Sequence, residues 1–103
     1  MMAMNETADQ ACRRLLTAFF TEYPNARLQV DAYRTLNHLS IHQIPMRGKP
    51  GGWAGGIIYA LANLGQRPCG VPGLLNQESE EFFHVSMDAI YKRVAQIRKL
   101  LTQ

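Results

Sequence analysis

The stretch NQESEEFFHVSMDAIYKRVAQIRKLL, residues 76–101, contains the most informative junction of the chain. Asn76 is a suitable N-cap for a short helix that ends near Phe83, and Ser86 is a suitable N-cap for a second helix. Side chains of these types accept hydrogen bonds from free amides of a helix's first turn. His84, between the two segments, is a residue type that tolerates a left-handed backbone. The stretch therefore predicts a helix, a short turn and a second helix.

The second of these helices has an apolar stripe. Ile90, Val94, Ile97 and Leu101 recur at spacings of four, three and four, which predicts the buried side and leaves the basic side chains free for solvent or phosphate. Two helices joined in this way over residues 76–101 have the layout of a helix-turn-helix, whose second helix enters the major groove of DNA. An ordinary helical hairpin that binds nothing has the same pattern.

Upstream, glycine and proline separate three further periodic segments of helical length. The segment at residues 53–64 is nearly all apolar and should be the buried central helix, with Trp53 as a core anchor. Gly55 and Gly56 within it indicate that another backbone crosses closely, because each glycine costs a helix about 1 kcal/mol relative to alanine. The three predicted helices cover residues 7–23, 28–43 and 53–64.

Composition is consistent with one domain. The chain has 103 residues, of which 47% are hydrophobic, enough for a core without disulfide or metal. Its longest apolar run, at residues 57–62, is far shorter than the ~20 residues that span a bilayer, and the N-terminus lacks a signal-peptide pattern. We expect a cytoplasmic protein without membrane contact: a single all-α domain of about five helices over residues 7–103, after a flexible N-terminus at residues 1–6.

No catalytic or metal-binding group is predicted. Cys12 and Cys69 lie far apart and outside any C-x2-C pattern, so we expect free thiols. His38 and His42 lie four residues apart and could share a helix face, but two ligands are too few for a typical metal site. We expect neither an enzyme nor a cofactor.

Basic charge is concentrated in two blocks of the chain, although the formal net charge is only +3. Residues 25–53 carry four basic and one acidic side chain, and residues 86–103 carry the same numbers. Such blocks suit a nucleic-acid footprint, since phosphate contacts need Lys and Arg on one face. A solvated surface with no ligand is the alternative.

Two blocks of sequence resemble a family of small prokaryotic domains of unknown function. MRGKPGGWAGGIIYAL, residues 46–61, and EEFFHVSMDAIYKRVAQIRKLL, residues 80–101, are similar to its RGKP-like turn, its Trp-Ala-Ala-Gly-Ile helix and the helix-turn-helix that follows. That arrangement is in turn similar to the cyclin-like repeats of transcription factor IIB. The resemblance implies an all-α, cyclin-box-like fold with DNA binding. The matching positions are Arg47, Gly48, Lys49, Pro50, Trp53, Ala54, Gly56, Ile57, Tyr59, Ala60, Leu61, Phe83, Val85, Ser86, Ile97 and Arg98.

Three positions depart from the family pattern. Gly55 stands where the family usually has alanine, and Ser79 stands where an apolar residue would face the core. Ala89 stands where a hydroxyl residue commonly begins the recognition helix. These changes weaken the inference of DNA binding more than the inference of the fold.

The DNA-binding hypothesis assigns roles to eight residues. The second helix would offer its N-terminal amides to phosphate, bring its middle to the groove and place its remaining cations on the flanking backbone. The acidic residues of the preceding helix oppose this docking. The candidate contacts are Ser86, Met87, Tyr91, Lys92, Arg93, Lys99, Arg47 and Lys49.

A paired substitution follows from this hypothesis. Replacing Lys92 and Arg93 together with alanine should leave the melting temperature nearly unchanged while lowering affinity for double-stranded DNA. The alternative function is a non-enzymatic protein-interaction module or homodimer that uses the same helical surface without nucleic acid.

Overall fold

Helices make up most of the computed structural model, which describes residues 6–63, 71 and 73–101. Within these residues β-pairing is limited to one isolated bridge between Val71 and Leu74. The prediction of an all-α fold with about five helices is confirmed. The helices are α1 (Ala8–Glu22), α2 (Ala26–Ile41), α3 (Pro50–Ala62), α4 (Asn76–Phe83) and α5 (Met87–Leu101).

Polar caps fix where the first two helices begin. The Thr7 hydroxyl accepts a hydrogen bond from the Gln10 amide at 3.3 Å, and the Gln10 side chain accepts one from the Thr7 amide at 3.0 Å, which completes a capping box for α1. Asn25 caps α2 by accepting from the Leu28 amide at 3.1 Å. Helix α2 therefore begins two residues before its predicted start, because Asn25 satisfies the amides of the first turn.

The central helix α3 begins at Pro50, three residues before its predicted start. Proline suits the first position of a helix, where its missing amide costs nothing. Gly51 is helical and lies directly against α4, since a Cβ atom there would overlap the carbonyl oxygen of Phe83. The last residue of α3 is Ala62, and the predicted end at Leu64 lies outside the described residues.

Helix α3 is the buried centre, as predicted. Every residue from 51 to 60 is buried, and α1, α2, α4 and α5 all contact this helix. A Cβ atom on Gly56 would lie 2.7 Å from the Arg93 Cβ and 3.3 Å from its carbonyl carbon, which confirms the close approach of another backbone. At Gly55 the close neighbour is instead the side chain of Ile90, at 3.0 Å.

The turn between α4 and α5 has the predicted conformation. His84 is left-handed, with φ 56° and ψ 41°, and Val85 packs half-buried against the core. The Ser86 hydroxyl accepts from the Ala89 amide at 3.2 Å, which confirms it as the cap of α5. The sequence 76–101 therefore folds as helix, turn and helix.

Two predictions within this stretch need correction. Asn76 is the first residue of α4 and Leu75 is its N-cap, whose amide donates to the Glu78 carboxylate at 2.9 Å. Leu101 is 36% exposed, and Leu100 packs against the core in its place. Leu100 takes the buried position because the helix has 3.6 residues per turn. Over three turns this period rotates the apolar stripe around the helix axis.

The predicted flexible segment at residues 1–6 lies outside the described residues except for Glu6. The Glu6 carboxylate pairs with Arg14 at 2.9 Å, in an exposed ion pair. Cys69 also lies outside the described residues, whereas Cys12 is a buried free thiol.

Candidate nucleic-acid interface

Arg93 is the residue that joins α5 to the segment before α3. The guanidinium carbon lies 4.7 Å from the centre of the Trp53 ring, within range of a cation–π contact. Its Nη2 donates to the carbonyl oxygen of Arg47 at 2.7 Å, and its Nη1 donates to the Gln96 side chain at 2.7 Å. Arg93 is therefore engaged within the fold, and the expectation that it is free for phosphate does not hold.

The carbonyl of Arg47 accepts two hydrogen bonds. Besides Arg93, the Trp53 ring Nε1 donates to it at 2.8 Å. Gly48 follows with φ 87°, and a Cβ atom there would lie 2.7 Å from the Arg93 Nη2. A larger residue at this position would both strain the backbone and displace the guanidinium. The segment before α3 is thus held to both α5 and α3 at the carbonyl oxygen of Arg47.

The contact between Arg93 and Arg47 joins the two basic blocks of the sequence. Arg47 and Lys49, beside the Arg93 contact, are exposed. On α5, Lys92 and Lys99 are exposed and, seven residues apart, lie on the same outer face of the helix. We call these four residues the basic surface. That these four side chains form one contact face for DNA stays a prediction.

The first turn of α5 is less open to phosphate than expected. The Met87 amide donates to the Glu80 carboxylate at 2.8 Å, and the Ala89 amide donates to Ser86. Both amides are thereby satisfied inside the protein. Glu80 and the exposed Asp88 add negative charge at this end of the helix, so a phosphate would meet repulsion there.

Met87 and Tyr91 lie on the flank of α5 that meets the rest of the protein. Met87 is half-buried against the core. The Tyr91 hydroxyl accepts from the Asn76 side chain at 3.2 Å, and its ring packs edge to face on Tyr59, with ring centres 6.2 Å apart. These contacts hold both side chains away from the outer face that carries Lys92. Met87 and Tyr91 therefore pack within the protein and stabilise the fold.

The positioning role of Arg93 was missed from the sequence. The available signal was the spacing of Gly52 and Gly56 on α3, which leaves a strip without side chains beside Trp53. The Arg93 side chain crosses this strip: a Cβ atom on Gly52 would lie 3.6 Å from its Cγ. A long amphipathic side chain on a neighbouring helix can fill such a strip and still reach polar groups at its edge.

Other chemistry has weak support among the residues that the structure describes. They contain no group of three or more potential metal ligands, and the rings of His38 and His42 stand together as a pair, 4.3 Å apart. Burial raises the pKa of the Cys12 thiol to about 12, which makes it unreactive near neutral pH. In the same residues no helix is both long and apolar enough to cross a membrane.

Comparison of the chain with protein-family models, with curated proteins and with solved structures finds no match. The contacts and charges of its own residues are therefore the basis for inferring its function.

Proposed function

We propose that this chain is a small, non-enzymatic helix-turn-helix protein that binds double-stranded DNA. The observation that carries the proposal is the Arg93 contact with Arg47, because it joins two basic blocks that are distant in sequence. Cations gathered on one face are what phosphate contacts require. The resemblance of the chain to domains that contain a helix-turn-helix favours the same function.

Binding would use the middle and the end of α5 more than its beginning. Lys92 and Lys99 are about 10 Å apart along the helix axis, at 1.5 Å per residue, and their flexible side chains can follow a phosphate backbone. The first turn of α5 is excluded from phosphate contact, because Asp88 and the adjacent Glu80 of α4 make it negative. Docking through the outer face therefore replaces the usual docking through the N-terminal residues of the second helix.

Phosphate contacts would dominate over base contacts. The outer face of α5 offers one amide side chain, Gln96, between its lysines, and that side chain already accepts from Arg93. Base discrimination depends on several such groups placed against base edges. We therefore expect weak sequence preference, with dissociation constants of roughly 10⁻⁴ to 10⁻⁶ M at physiological salt.

Salt dependence tests the proposal. Fluorescence anisotropy with a labelled duplex of about 20 base pairs should show binding at about 50 mM salt that weakens steeply toward about 200 mM, because bound cations release counterions. Replacing Lys49 and Lys92 together with alanine should flatten the logarithmic salt slope by about two units. Arg93 is unsuitable for this test because its loss would disturb the fold.

Arg27→Ala is the matched control, since this exposed cation lies on α2 and is not one of the four residues of the basic surface. It should leave affinity and salt slope within error of the parent protein. Absence of binding by the parent protein at low salt, or equal losses from the control and the paired variant, would overturn the proposal.

A further inference from the structure

The outer face of α2 exposes apolar side chains. Val30 is 55% exposed and Ile41 is 76% exposed, and both lie on the side of the helix opposite its buried residues. With Tyr33 and Arg34 they line an open groove of about 540 Å³. Exposed apolar side chains at both ends of an open groove favour a surface that another helix covers.

The charged side chains around this groove indicate what kind of helix would bind in it. Arg34 is the charged side chain in the lining of this groove, whereas Arg27 and Asp31 together line a different hollow with Leu28. A second α2 placed in the groove would set arginine against arginine, which is unfavourable. An acidic helix with an exposed apolar residue fits better.

Helix α4 of this same chain has that chemistry. Leu75 is 69% exposed, and Glu78 and Glu81 are exposed at spacings of three residues, close to one face. Eight residues give α4 a length of about 12 Å, shorter than the distance of about 16 Å from Val30 to Ile41 along α2. The groove is therefore long enough for α4 of another copy.

We propose that copies of this chain associate, with α4 of one copy docked in the α2 groove of another. Leu75 contacts Ile41 at one end of the groove, while Glu81 faces Arg34. This association rests on residues outside the basic surface and is independent of DNA binding. It would also cover the acidic helix that otherwise lies beside α5.

Charge reversal with exchange tests the proposal. In sedimentation velocity, the parent protein should associate in a concentration-dependent way. Arg34→Glu and Glu81→Arg should each weaken association at least about ten-fold, because each sets like charges together. An equimolar mixture of the two variants should associate again, since each mixed contact then joins opposite charges.

Lys92→Glu is the control, because it reverses an exposed charge on α5 and should leave association unchanged. Circular dichroism should show that all three variants fold, as they replace exposed side chains. A parent protein that stays monomeric at all concentrations would overturn the proposal and leave the groove to an acidic helix of another protein. Failure of the mixture to associate would also overturn it.

Discussion

The hydroxyl of Ser79 lies 2.7 Å from the hydroxyl of Tyr59 in the contact between α4 and α3, and both side chains are excluded from solvent. Tyr59 donates to the side-chain oxygen of Asn76 at 2.9 Å, so the Ser79 hydroxyl donates to Tyr59. The Asn76 amide group continues the chain to Tyr91. Ser79 stands where an apolar residue would be expected to face the core. In the structure it is instead one partner of a buried hydrogen-bonded pair.

Tyr59→Phe should destabilise the protein by about 1–3 kcal/mol, because it leaves the Ser79 hydroxyl buried without its partner. Adding Ser79→Ala should restore part of the loss, since the unsatisfied group is then removed as well. Urea unfolding of both single variants and the double variant measures the coupling. Additive losses would show that the two hydroxyls do not interact.

Local signals in the sequence were enough to predict that five helices and the turn exist, but not where α2 and α3 begin or which residue caps α4. The cap at Ser86 and the left-handed His84 each depend on residues within four positions, so a single stretch of sequence contains the information. The contact of Arg93 with Trp53 depends on how α5 lies against α3, which no local pattern specifies. The candidate interface was therefore predicted as a set of cations, but the residue that organises it was not.

Gly51→Ala should destabilise the protein strongly, by more than about 3 kcal/mol, because the added methyl group would overlap the backbone carbonyl of Phe83. Gly52→Ala is the matched comparison: its Cβ atom would find ordinary contacts at 3.6 Å and beyond. That change should be neutral or stabilise by up to about 1 kcal/mol, because alanine favours helix. Thermal and urea unfolding of the two variants should differ accordingly, and equal effects would contradict the packing of α3 on α4.

Alkaline pH should reduce stability through Cys12. Its pKa is near 9 when exposed and is raised to about 12 by burial, so above pH 9 the unfolded chain loses a proton that the folded protein keeps. The free energy of unfolding should then fall by up to about 1.4 kcal/mol per pH unit. In Cys12→Ala this contribution is absent, while the other titratable groups are the same in both proteins.

Urea unfolding at about pH 8 and pH 10 measures the difference for Cys12. The stability gap between the parent protein and Cys12→Ala should narrow as pH rises, because only the parent protein loses stability through this thiol. A gap that stays constant between the two pH values would indicate that the thiol is accessible to solvent in the folded state.

Arg93→Ala should destabilise the protein by about 2 kcal/mol, since it removes the cation–π contact with Trp53 and the hydrogen bond to the Arg47 carbonyl. Lys92→Ala, one residue earlier, should change stability by less than about 0.5 kcal/mol because this side chain is exposed. The structure therefore revises the expectation that both residues can be replaced without lowering the melting temperature.

Arg93→Lys separates charge from geometry at this position. A lysine keeps the positive charge but lacks the planar fork that stacks on Trp53 while donating to Gln96 and Arg47, so it should restore less than half of the lost stability. Trp53 fluorescence should also shift in both Arg93 variants and not in Lys92→Ala, because the Arg93 guanidinium lies over the ring and Lys92 points to solvent. Full rescue by lysine with unchanged fluorescence would show that Arg93 acts as a surface charge, and would return it to the DNA-binding surface.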